Sequence, residues 1–103
     1  MAYRLIISEN ANTRIENVIR YVSLKLLNPE AARHILQEID HAYDKLEERA
    51  ESYAYCSDSY LASKGYRKLQ LDKHAYMFVY LVRDNEVFIA GFFHIREDYA
   101  KKL

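Results

Sequence analysis

The hydrophobic period changes partway along this chain, and that change constrains the fold more than any other feature. Ile15, Val18, Ile19, Val22 and Leu26 fall at i, i+3, i+4, i+7 and i+11, and Ala32, Ile35, Ile39, Ala42 and Leu46 repeat the pattern. Such spacing lays an apolar stripe along one face of each of two helices. From Tyr66 the period is two, with Arg67, Leu69 and Leu71 alternating against Tyr66, Lys68 and Gln70. Alternation of that kind belongs to strands. Helices with one apolar stripe and strands with one apolar face bury them against each other, which predicts an α+β domain.

Local signals refine the order. Tyr3 to Ser8 is a short β-prone run, and Thr13 with Glu16 has capping-box spacing for the first helix. Asn28-Pro29 ends that helix and opens a second, Asn28 capping and Pro29 in the first turn, running to about Ala50. Leu36 and Tyr43 widen its stripe, and the tight connection predicts an antiparallel helix pair. Glu51 to Ser63 has no clear period and reads as a loop whose tyrosines cover the edge of the core. Tyr76, Phe78, Tyr80 and Val82 alternate against Met77, Val79 and Leu81, and Asp84-Asn85 supplies residue types that tolerate the positive φ of a tight hairpin turn. The last run, Val87, Ile89, Gly91, Phe93 and Ile95 against Phe88, Ala90, Phe92 and His94, is apolar on both sides until His94, so it should be a central strand. The predicted order is β-α-α-β-β-β, a helical hairpin on a mostly antiparallel four-stranded sheet.

With 103 residues the chain is sized for one domain, 1–103, with a single core. Fifteen basic residues balance fifteen acidic ones, so any affinity for nucleic acid must come from a local basic patch. The single cysteine, Cys56, cannot form an internal disulfide, and its neighbours Tyr55, Ser57 and Asp58 offer no cation to activate it. Neither a signal-peptide core nor a membrane span is visible, which points to a cytoplasmic protein with no membrane partner. His34, Glu38 and His41 share a helical face, but HExxH spacing is absent and no fourth ligand is evident, so no metal is proposed.

The last forty residues carry a more specific signal. Lys64-Gly65-Tyr66-Arg67-Lys68-Leu69 leads into Tyr76-Met77-Phe78-Val79-Tyr80, and Val87-Phe88-Ile89-Ala90 into His94-Ile95-Arg96-Glu97-Asp98-Tyr99. A basic strand, an aromatic strand ending in tyrosine, a tight turn, an apolar strand and a His-x-Arg-x-Asp-Tyr tail, in that order, resemble the close of the RelE/ParE toxins. Asn28-Pro29-Glu30-Ala31-Ala32 looks like that family's opening to its second helix.

The resemblance implies the toxin of a type II toxin–antitoxin module, needing no cofactor and held inactive by a cognate antitoxin whose C-terminal segment wraps it. Ten tyrosines and four phenylalanines exceed what so small a core can cover, which agrees with a partner-binding surface. The residues leave open whether two copies form a homodimer. The family divides by target, some members cutting mRNA on the ribosome and ParE-like members poisoning DNA gyrase. RNA cleavage needs a base and cations around the scissile phosphate. Arg67, Lys68, His94, Arg96 and Tyr99 match the positions from which the family would supply them, and are the candidate catalytic residues. Arg67 and Lys68 would equally serve as a solvated strand face, and His94 as a histidine capping the central strand, bonded to Tyr76 or Tyr80. Met77 stands where the nucleases usually carry arginine, and Gln70 where a further lysine is common. Those departures favour the gyrase-directed mode, with the ribosome-dependent nuclease as the alternative and an inactive, antitoxin-binding member as a second.

Overall fold

A computed structural model describes residues 2–103. Strand β1, Arg4–Ile7, leads into helix α1, Glu9–Arg20, which continues as a π-helical turn over Tyr21–Lys25. Helix α2 spans Pro29–Arg49, the short helix α3 spans Ser59–Ser63, and β2, β3 and β4 occupy Arg67–Gln70, Tyr76–Arg83 and Glu86–His94. The sheet order is β1-β4-β3-β2, with β1 parallel to β4 and the other pairs antiparallel. The expected α+β architecture is present, with α3 as an addition.

Both predicted boundaries at Asn28-Pro29 hold. The Asn28 side chain accepts from the Ala31 N–H at 3.0 Å, and Pro29 opens α2, where its missing donor has no intrahelical role. The start of α1 does not hold. Ser8, not Thr13, is the cap: its hydroxyl accepts from the Ala11 N–H at 3.0 Å, and residues 9–12 are already helical. Ser8 wins because its Oγ also donates to the Ala90 carbonyl at 3.1 Å, a bond available only where the chain leaves the sheet. The segment taken for a loop contains α3, bracketed by the Asp58 cap on Leu61 N–H and by Gly65 at φ +93. Gly65 N–H to Ala62 O and Tyr66 N–H to Leu61 O complete a Schellman ending.

The sheet is covered on both faces. On one, Ala11, Ile15, Val22 and the α2 stripe Ala32, Ile35, Ile39, Ala42 and Leu46 pack on Leu69, Phe78, Tyr80, Val87, Ile89 and Phe92. On the other, Cys56 and Leu61 pack with Met77, Val79 and Phe93, flanked by Tyr66 and Tyr99. Strand β4 is central, as expected, but its alternation breaks. Tyr80 pairs with Ile89 and Val79 with Gly91, so Ala90 is a bulge. Beyond it the phase reverses: Phe92 joins Val87 and Ile89 under the helices, while Gly91 and Phe93 face the other side.

Candidate functional site

Strand geometry separates the five candidate residues before any chemistry is considered. Arg67 pairs with Tyr80 and Leu69 with Phe78, placing Arg67 on the helix-covered face. Lys68 and Gln70, paired with Val79 and Met77, lie on the opposite face. There a cleft of about 390 Å³ is lined by Lys68, Gln70, Met77, Tyr53, Ser57, Ile95 and Tyr99. Lys68 and Tyr99 are thus the two candidates that share a site.

Arg67 is engaged elsewhere. Its guanidinium donates to the Tyr53 carbonyl at 2.6 Å and the Tyr55 hydroxyl at 3.0 Å, and lies 4.1 Å from the centre of the Tyr55 ring. These contacts fasten the segment from Tyr53 to Cys56 along the outer edge of β2, where Lys68 N–H also donates to Ala54 O. His94 ends β4 on the helix side of the sheet, opposite Tyr76, with the two rings edge-on and 5.4 Å apart. It does cap the strand, but its Nδ1 accepts from the Arg96 N–H at 3.1 Å, in place of the hydrogen bond expected from Tyr76 or Tyr80. Arg96 is exposed in the turn that follows.

The cleft lining offers one cation, Lys68, with Ser57 and Tyr99 as hydroxyl-bearing residues, and no histidine or carboxylate; the Tyr53 hydroxyl is turned to the helix side, where it accepts from Arg49 Nε at 3.2 Å. Such a set can hold one anionic group, and leaves Lys68 and Tyr99 as its proton-transfer groups. Cys56 lies buried beside it. Burial pushes its thiol up, outweighing the opposing pull of Lys68 and Tyr99, so the thiol stays protonated and unreactive.

Two features escaped the sequence reading. Beyond Ile7 the first strand no longer accompanies β4, and side chains take its place: Ser8 Oγ bonds Ala90 O, and Arg14 Nε bonds Phe92 O at 2.8 Å. Arg14 also meets Glu97, which takes the His94 N–H at 2.9 Å and Lys102 Nζ at 2.8 Å. Burial raises the Glu97 carboxyl, but the bonds from Lys102, His94 and Arg14 prevail and hold it at about 2. This network fixes the tail that carries Tyr99 over the cleft. On α2, His34, Glu38 and His41 do line one cleft, together with Asp72, Lys73 and His74. Glu38 is engaged there by the Lys73 N–H and the His74 ring, clamping the loop between β2 and β3 onto α2. Among the described residues, no three metal-ligating side chains converge on one point.

Comparison with known proteins places the fold. The chain superposes on a solved chain from "Chromosomal ParDE TA system from P. aeruginosa" with a TM-score of 0.70 and 21% identity, over 90% of this chain and 96% of that one. The two chains share a fold, and that likeness bears out the architecture that the RelE/ParE resemblance implies. No family model and no curated protein matches the sequence.

Proposed function

We propose that this chain is the toxin of a type II toxin–antitoxin module, inhibits growth, is neutralised by a cognate antitoxin, and acts in the ParE-like, gyrase-directed mode. The ParDE likeness supports the toxin reading. One observation carries the choice of mode: of the five basic and proton-transfer residues, only Lys68 and Tyr99 share a cleft. Lys68 stands in the cleft while Arg67 is bound on the other face, and Met77 is buried in the cleft wall. A nuclease would have to stabilise a phosphorane with one lysine as its cation, and losing one oxyanion-type donor alone costs about 3 kcal/mol of barrier. A gyrase poison needs only a surface.

That surface is available. Tyr21, Leu24, Leu26, Leu27 and Leu36 are all exposed around the end of α1, Leu27 at 81%. Leu26, read as part of the α1 stripe, is turned outward by the π-helical turn. Tyr55, Tyr60 and Phe88 are exposed too, in keeping with the expected aromatic surplus. An apolar patch of this size supports an antitoxin that covers it. The sharing of one cleft by Lys68 and Tyr99 is the observation that favours the alternative, a metal-independent, ribosome-dependent mRNA endonuclease.

Induction in bacteria, with and without the protein encoded beside it, tests the reading. Growth arrest relieved by that protein is expected, and unimpaired growth at high expression would overturn it. Purified protein should stabilise a gyrase–DNA cleavage complex and leave mRNA on ribosomes intact. The opposite pattern would transfer the assignment to the nuclease.

A further inference from the structure

We infer that the outer edge of β1 is a pairing site for a second copy of this chain, joining two four-stranded sheets about a two-fold axis. Strand β1 lies at the sheet edge. Arg4 N–H donates to Asn85 O at 2.7 Å and Ser8 N–H to Ile89 O at 3.0 Å, so alternation turns the N–H and C=O groups of Leu5 and Ile7 away from β4. The opposite edge, β2, is covered by Ala54–Cys56. Among the described residues β1 has no such cover, and past Arg4, whose guanidinium pairs with Glu86, its run Leu-Ile-Ile carries no charge, proline or bulge.

The side chains are left equally open. Leu5 and Ile7 are half-buried, although their β4 partners Val87 and Ile89 are completely enclosed. On the other face Ile6, Phe88 and Leu81 form one cross-strand row lining an open cleft of about 290 Å³ with Arg83 and Glu86, and Phe88 is 42% exposed.

A second copy fits this edge in one register. Antiparallel pairing that sets Leu5 against the second copy's Ile7 makes roughly four backbone hydrogen bonds, with Ile6 facing its own counterpart on the axis. A register centred on Leu5 would need the Tyr3 N–H, already donated to Glu47 O, and one centred on Ile7 would need Glu9, already helical. In the permitted register the Leu81–Phe88–Ile6 row runs on into its copy, and the open flanks of Leu5 and Ile7 cover each other. Charge agrees with it. Arg4 arrives beside the second copy's Ser8 and Glu9, opposite in charge to the latter.

Sedimentation with Ile6→Lys and Ile6→Cys variants tests the pairing. The protein should sediment as a dimer at about 100 μM, a concentration that saturates a micromolar contact. Ile6→Lys should be monomeric with an unchanged circular dichroism spectrum. Non-hydrogen-bonded partners sit about 4.5 Å apart at Cα, within disulfide reach, so Ile6→Cys should give a reducible covalent dimer under mild oxidation. Buried Cys56 provides the internal control, since the unaltered protein should not crosslink. A monomer that gives no Ile6→Cys crosslink, or a dimer indifferent to both variants, would overturn the proposal.

Discussion

Gly91 shows how one residue sets the geometry of the central strand. A Cβ there would lie 2.4 Å from Phe93 Cε2, and Phe93 is wholly buried. Gly91→Ala should therefore cost about 1–3 kcal/mol through overpacking, read as a lower urea midpoint with unchanged slope. Tyr80 is constrained in another way, its hydroxyl donating to the buried Ala50 carbonyl at 2.7 Å. Tyr80→Phe should cost about 1–2 kcal/mol by leaving that carbonyl without its donor, in the same assay. Arg67 and Lys68 should part company: Arg67→Ala loosens the Tyr53–Cys56 segment and lowers stability, whereas Lys68→Ala leaves the melting temperature unchanged. The period-two alternation set Arg67 and Lys68 on opposite faces, as found, but gave no sign of what each face would meet. The apolar run from Val87 to Phe93 hid the Ala90 bulge, because with both strand faces buried no polar residue reports a change of phase.

Among the elements, the termini were legible where one residue does one job. Asn28 caps α2 and Asp84 takes the expected positive φ, 54°. Ser8 was missed because it serves two elements at once, and α3 because five residues are too few to show a period. The π-helical turn ends in a strained residue, Leu27 at φ 52° and almost fully exposed. Leu27→Gly should stabilise the fold by about 1 kcal/mol, since it relieves the left-handed penalty and sacrifices little buried surface. A lower melting temperature would show that the leucine packs inward. The C-terminal tail depends on Glu97. Its carboxyl is held at about 2, below the ordinary 4.5, so it stabilises the fold above the unfolded value and loses that contribution as pH falls from about 4.5 to about 2. Glu97→Gln should flatten the pH dependence of stability in that window and cost on the order of 1–3 kcal/mol at neutral pH.

For the whole molecule, the resemblance in the last forty residues led to the right architecture, and the fold likeness to a ParDE chain agrees with it. It grouped Arg67 and Lys68 as one set, although the period-two alternation already sets them on opposite faces of one strand, as the pairing bears out. A formal charge of zero and a single cation in the cleft leave little with which to hold RNA. No helix among the described residues is long and apolar enough to cross a membrane. Pulse labelling of DNA and protein synthesis within minutes of induction tests the account most directly. The gyrase-directed reading predicts that DNA synthesis falls first, with the SOS response. Protein synthesis falling first, and losing that effect in Lys68→Ala, would contradict it and return the cleft to catalysis.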